Sequence, residues 1–427
     1  MQILIKGARV IDPGRMDALM DIRVDGGVIA DIQPAGVMSP SNMEGRVYEA
    51  SGCIAAPGLM DMHVHFREPG QEYKETIASG CSAAAAGGFT AVCTMPNTHP
   101  VNDNAPVTRF ILSRAAEACG VRVYPVGAIS KSLEGKSLSE FAELKSAGAV
   151  AVTDDGMPVR SSLMMRRAME YANGLGLLVI SHCEDMELAS GGCMNEGETA
   201  TRLGLSGIPN AAETVMALRD IALSELTGAR LHIAHVSTAE SVRAIREAKR
   251  RGIPVTAETA PHYFTLTEEA VGAYDTHAKM NPPLRTHKDV EAVREGLADG
   301  AIDVIATDHA PHSSVEKAVE FNLAANGVIG LETSLALGLK LVDSGVLSMT
   351  GLIEKMSTNP ARILGLTSSL AVGAPADITL FSPEKVWTVD ARQFKSISRN
   401  TPFDGWTLKG KALLTMVGGN VVFNAMT

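Results

Sequence analysis

Short, nearly uninterrupted apolar runs recur through the middle of the chain, and stretches with apolar residues every three to four positions follow most of them. The runs fall at 59–65, 90–94, 121–127, 149–153, 177–181, 231–234, 253–257 and 302–306. The helical patterns fall at 72–86, 104–118, 161–173, 211–226, 239–250 and 288–298. Runs this continuous read as strands buried on both faces, and eight of them alternating with helices predict a closed (β/α)8 TIM barrel. An open doubly wound sheet is the alternative. No Gly-x-Gly-x-x-Gly follows the first run, so the dinucleotide-binding form of that alternative has no support.

The two ends have a different texture. Short β-type runs at 3–5, 21–24, 28–32 and 46–48 surround the turns Asp12-Pro13-Gly14 and Asp25-Gly26-Gly27. Runs at 377–381, 412–417 and 421–423 surround Gly418-Gly419-Asn420. The pattern predicts one small β-sandwich module built from both chain ends, residues 1–56 plus 366–427, flanking a barrel at 57–365.

A length of 427 residues suits a barrel with an appended module. With 45% hydrophobic and 20% charged residues the chain is globular, and with only 4% aromatics its core must be packed from small and aliphatic side chains. The net charge of −10 and the lack of any basic block argue against nucleic-acid binding. An anionic substrate would have to be met by local cations, because the long-range field repels it. Cysteines at 53, 81, 93, 119, 183 and 193 form no Cys-x-x-Cys pair and read as reduced structural thiols. The start of the chain lacks the pattern of a signal peptide, and no apolar run reaches the ~18 residues of a membrane span, so a cytoplasmic protein without membrane partners is expected.

Barrel chemistry belongs at the carboxyl ends of the strands. The first run ends in His63-Val64-His65-Phe66-Arg67, and strand alternation sends His63 and His65 to one face, with Arg67 on the same parity. The other ends bring Asn97, Asp154-Asp155, His182-Cys183-Glu184, His235, Glu258 and Asp308-His309 toward the same rim; the third offers no side chain. A satisfied core histidine explains any single member but explains the set poorly. Four histidines (63, 65, 182 and 235) and two aspartates (155 and 308) exceed what one four-coordinate zinc needs, which suggests two metals sharing a bridging carboxylate and hydroxide. Zinc suits this donor set, with manganese or cobalt as alternatives, and metal-activated water makes hydrolysis the natural reaction class. His99, His277 and His287 read as solvated. His232, odd-spaced from His235, reads as facing away, and Cys183 as pointing away from His182. His262, His309, Glu258 and Asp154 read as groups that orient ligands or satisfy backbone donors.

Taken together, His63–Gly70, Met95-Pro96-Asn97-Thr98, Asp154-Asp155-Gly156, His182–Asp185, Lys279–Arg285 and Ala306–His312 closely resemble the dihydroorotases of the amidohydrolase superfamily, and the class I bacterial type most of all. The resemblance spans almost the whole chain, with the motifs in family order. It implies that His63, His65 and Asp308 bind one zinc ion and His182 and His235 a second, with Asp155 as the bridge. A carboxylated lysine serves that purpose in many amidohydrolases, and no lysine stands at the end of the fourth strand here. It further implies that Arg67, Asn97 and His312 hold a substrate carboxylate, that Asn281 contacts the ring, and that His65 and the backbone at Asn326 and Gly327 also meet substrate. The implied reaction is reversible hydrolysis of the cyclic amide of (S)-dihydroorotate to N-carbamoyl-L-aspartate in pyrimidine synthesis, by a metal-bridging hydroxide with Asp308 as general base and acid. Residues 313–323 are expected to form a mobile loop over the site. Ala325-Asn326-Gly327 departs from the Pro-Phe-Gly common in related sequences. Other readings are an allantoinase- or hydantoinase-like hydrolase and a non-catalytic scaffold for aspartate transcarbamoylase. The resemblance also allows an active enzyme to associate with that transcarbamoylase or with further copies of itself.

Overall fold

A computed structural model describes residues 2–39 and 45–426. Eight parallel strands follow one another round a barrel in chain order: Leu59–Val64, Phe89–Thr94, Arg122–Gly127, Ala151–Val152, Leu178–Ser181, Leu231–Ile233, Val255–Thr259 and Val304–Ile305. A parallel bridge between Val64 and His309 closes the ring, and the His65 N–H donates to the His309 carbonyl at 2.8 Å. The seventh strand begins two residues later than the apolar run suggests. Pro254 has no N–H to give to a ladder, so regular pairing starts at Val255, and Glu258 lies inside the strand.

The barrel interior is filled by Met60, Met62, Ala91, Cys93, Val126, Ala151, Leu178, Ile180, Ala234, Val304 and Ala306. This is the small and aliphatic core that the scarcity of aromatics implies. Helices cover the outside. The first, Ile77–Gly87, starts later than its periodicity because Thr76 caps it, its side chain accepting from the Ser79 N–H at 3.0 Å. Residues 68–76 are thereby left free to run as turns beside the strand ends.

The module is one mixed eight-stranded sheet wrapped round its own core of Ile3, Ile5, Val10, Ile22, Val24, Ile378, Leu380, Leu414 and Met416. The two chain ends meet where Ile378–Thr388 pairs antiparallel with Ile54–Pro57. Residues 389–403 leave this sheet and lie on the barrel, with Phe394 and Phe403 in its outer core. All six cysteines are free thiols. Among the described residues, no helix is long and apolar enough to cross a membrane.

Gly58 joins module to barrel. Its N–H donates to the Asp377 carbonyl at 3.0 Å, its carbonyl accepts from Ser357 Oγ at 2.8 Å, and a Cβ there would overlap the Thr90 side chain. Gly58→Ala should therefore cost about 1–3 kcal/mol through overpacking, read as a lower denaturant midpoint at unchanged slope.

Candidate metal centre and active site

The strand ends converge on a cavity of about 210 Å³ lined by His65, Arg67, Asn97, Asp155, His182, His235, Asn281, Asp308, His312, Asn326 and Gly327. His63 lies beneath it, fully buried. Val64 packs outside the barrel between two inward imidazoles, so His63 and His65 share a face as alternation predicts. An extra residue between Asp61 and Val64 breaks the parity ahead of them, which lets Met62 pack inside the barrel next to His63. Arg67, His235 and Asp308 have φ of 61°, 34° and 47°, a left-handed backbone unusual for such residues. Each lies just past its strand, where the chain must turn to aim a side chain inward, and such strain collects at functional sites.

Asp155 is the centre of the geometry. Its carboxylate oxygens lie 3.4 Å from Nε2 of both His63 and His65, and 3.6 Å from His182 Nδ1 and His235 Nε2. Two ligand-type groups share it: His63, His65 and Asp155, and Asp155, His182 and His235. Asp308 Oδ1 lies 3.2 Å from His65 Nε2 and 3.6 Å from His63 Nε2. Burial alone would raise the pKa of Asp155, but His63, His182 and His235 hold it well below the ordinary carboxylate range. The same opposition holds Asp308 low, with His65 and His63 outweighing burial.

The opposite edges of the imidazoles are fixed. His63 Nδ1 donates to Glu258 Oε1 at 2.7 Å, and His65 Nδ1 donates to Asn97 Oδ1 at 2.8 Å. His182 Nε2 faces Glu184 Oε2 at 3.5 Å, and Glu184 also accepts from Asn281 Nδ2 at 3.1 Å. These contacts orient the inward nitrogens of His63 and His65 toward the carboxylates, while the inward nitrogens of His182 and His235 face each other at 2.7 Å. His63 Nε2 and Asp155 Oδ1 are buried with no hydrogen-bond partner among the described residues. Unpaired buried acceptors are costly unless a cation meets them, so the residues fit a metal. Imidazole and carboxylate donors with outer partners of this kind are the make-up of a metal centre.

Across the cavity, Arg67 is buried beside His312. Its Nε donates to the Pro311 carbonyl at 3.2 Å, and burial lowers its pKa to about 10, which leaves it cationic at neutral pH. Burial and then the Arg67 charge push His312 down to about 3, so its ring is neutral; Nε2–H donates to the Asn326 carbonyl at 2.8 Å. Gly327 adopts φ 146°, and a Cβ there would meet Ala310 at 2.7 Å, so glycine is required. The backbone of Asn326 and Gly327 is largely engaged within the protein. The Asn326 carbonyl serves His312, the Gly327 N–H donates to the Lys279 carbonyl at 3.0 Å, and the Gly327 carbonyl accepts from Asn400 at 3.0 Å. The Asn326 N–H has no partner among the described residues.

Several expectations change. His232 faces inward, bonding Glu258 at 3.2 Å and Thr256 at 2.8 Å; regular alternation ends at Ile233, so parity with His235 is not a guide. His309 points away from the cavity toward Glu75 at 3.3 Å. Of the two roles expected for Asp154 the structure shows the second: its Oδ1 accepts from the Ser130 N–H at 2.9 Å. Cys183 packs in the outer core, as alternation predicts. His287 is 80% exposed, whereas His277 is half-buried. Residues 313–323 are a folded strap and not a free loop. They hold a short helix, Ser314–Lys317, and Lys279 Nζ donates to the carbonyls of Asn322 and Ala324 at 3.0 and 2.7 Å. Lys317 Nζ returns to Lys279 and Ala325 at 3.1 and 2.8 Å. Glu184 stands at the rim where its strand end was expected to bring it, whereas Asn400 carried no sequence signal that set it apart as part of the site.

A barrel whose strand ends gather buried imidazoles and carboxylates around a small cavity defines the metal-dependent amidohydrolase class of enzymes. Residues 52–241 match the family described as Dihydro-orotase-like. The chain is 60% identical to the dihydroorotase of Desulforapulum autotrophicum and 56% identical to that of Syntrophus aciditrophicus, over 99% of both chains in each case. Among solved structures it is similar to the L-hydantoinase of Arthrobacter aurescens, with a TM-score of 0.88 and 27% identity over all of this chain and 96% of that one. The dihydropyrimidinase of Brevibacillus agri, at 23% identity and a TM-score of 0.83, shares the fold. The chain belongs to the dihydroorotase family of the amidohydrolase superfamily.

Glu258→Ala should weaken metal affinity about 10–100-fold by freeing the His63 ring, with circular dichroism unchanged. Competition with a chromogenic chelator measures it, and wild-type affinity would mean that Glu258 does not orient His63.

Proposed function

We propose that this chain catalyses the reversible hydrolysis of the cyclic amide of (S)-dihydroorotate to N-carbamoyl-L-aspartate, using two zinc ions. The observation that carries the reading is the placement of Asp155 within 3.6 Å of all four inward histidine nitrogens, opposite a buried arginine on the same cavity. His63, His65 and Asp308 would hold one ion, His182 and His235 the other, with Asp155 shared. When bound, zinc lowers the pKa of water to about 7 and polarises a carbonyl oxygen.

The protein's own groups do the rest. Arg67 receives the ring carboxylate as a charge-assisted pair, and its planar fork fixes orientation as well as affinity. Asn97 commits its oxygen to His65, which leaves its Nδ2 to face the substrate. Asn281 binds Glu184 through its nitrogen, and its Oδ1 has no protein partner among the described residues, so it is available to a ring N–H. Asp308, held as the carboxylate, accepts the proton of the attacking water. As the C–N bond breaks, it returns that proton to the departing ring nitrogen, which keeps proton count and charge balanced. Ring closure runs the same transfers backward.

A hydantoinase-type reading is supported by the likeness to the L-hydantoinase. A ring without a carboxylate would, however, leave the buried Arg67 charge unpaired, at a cost that favours a carboxylate-bearing ring. A non-catalytic scaffold has no need of a complete ligand set, and all six candidate ligands are present here, which favours an enzyme. Association with aspartate transcarbamoylase and self-association rest on the resemblance alone, and co-elution of the mixed proteins on size exclusion tests the first.

Asp308→Ala should reduce turnover of both dihydroorotate and carbamoyl-aspartate by at least ~10³-fold. Arg67→Met should raise KM for both while metal content stays full. Absence of turnover by the zinc-loaded wild type in either direction, or faster hydrolysis of hydantoin or allantoin than of dihydroorotate, would overturn the proposal.

A further inference from the structure

Asn400 lies far from the metal ligands in sequence, on the segment that leaves the module and crosses the barrel. It is 2% exposed, and its amide is fully used. Its Oδ1 accepts from the His312 N–H at 3.0 Å, and its Nδ2 donates to the carbonyls of Ala310 at 2.9 Å and Gly327 at 3.0 Å. One planar side chain therefore ties together two loops that line the cavity, 310–312 and 326–327. The Asn400 carbonyl also accepts from Ile329 N–H at 2.9 Å, just beyond the second loop. The segment is itself fastened to the turns that follow Arg67. The Ile397 N–H donates to Glu75 at 3.2 Å, and Ser398 Oγ donates to the Lys74 carbonyl at 2.8 Å.

We propose that Asn400 is a positioning residue that sets the distance between His312 and Arg67, and through it the geometry of the carboxylate pocket, without touching substrate. The inference rests on the reading of Arg67 and His312 given above. His312 has its ring anchored on Asn326 and its backbone anchored on Asn400, and the residue after Asn326, Gly327, is anchored on the same Asn400 amide. Moving any one of these moves the others. Asparagine is the side chain that suits the place, because one amide offers an acceptor and a two-hydrogen donor in one plane. An aspartate there would keep the acceptor for His312 and lose both donors, leaving the Ala310 and Gly327 carbonyls against a charge. None of these contacts reaches Asp155 or the histidines that surround it, so the effect should fall on substrate capture.

The test is a double-mutant cycle with Arg67→Met, using full-length zinc-loaded protein and dihydroorotate. Asn400→Ala should raise KM on the order of ten- to hundredfold, with kcat within about threefold and zinc content unchanged. In the Arg67→Met background the same substitution should raise KM less than about twofold, because the group it positions is gone. Asn400→Asp gives the same reading if the alanine variant does not fold. A lowered Tm with wild-type KM, or KM effects that multiply across the two sites, would show a purely structural residue and overturn the proposal. A wild-type KM in Arg67→Met alone would overturn the carboxylate reading itself, and the Asn400 proposal with it.

Discussion

A single buried carboxylate within reach of four imidazoles is the constraint around which the upper barrel is arranged. Asp155 lies 3.4 to 3.6 Å from an inward nitrogen of each histidine. Holding that many polar groups in a space closed to bulk water is costly unless they find partners. Glu258, Asn97 and Glu184 face the outer edges of His63, His65 and His182. The unusual backbone at His235 and Asp308 follows from the same demand, since a strand leaves a barrel in the wrong direction to deliver a side chain to its axis.

The barrel was legible because its strands are buried on both faces and so read as unbroken apolar runs. Where such reading fails, the cause is visible at particular residues. Pro254 displaced the seventh strand by removing a donor, and with it moved Glu258 from a position past the strand to one facing His63. An extra residue just before His63 breaks the parity of the strand there, yet leaves His63 and His65 alternating about Val64. Parity also misplaced His232, because alternation has no meaning once the chain has turned out of the strand. Motifs brought Arg67, Asn97, Asn281 and His312 to one cavity, since they are local in sequence. Contacts between distant segments, such as Asn400 with His312, leave no periodic trace and are visible in three dimensions alone.

Lysines do unexpected work in this acidic chain. Lys279 spends its ammonium on carbonyls of the strap, and Lys317 spends its own on Lys279 and Ala325, so charge-assisted hydrogen bonds fasten the strap over the cavity beside the apolar seat of Phe321. Burial and the neighbouring Lys279 push Lys317 down to about 7, so the clamp includes a group that shares its proton with solvent near neutrality. Arg67 is thereby surrounded by polar anchors on three sides: the strap, the Asn400 segment and the turns at 68–76.

The route of residues 389–403 from module back to barrel has a consequence for synthesis. Translation is vectorial, and domains assemble from the amino end as they emerge. Every candidate metal ligand is encoded before residue 309, so the ribosome exposes the complete ligand set more than ninety residues ahead of Asn400. The contacts that Asn400 makes with His312 and Gly327 are thus among the last that the growing chain can form, so the pocket around Arg67 and His312 is finished only with the end of the chain.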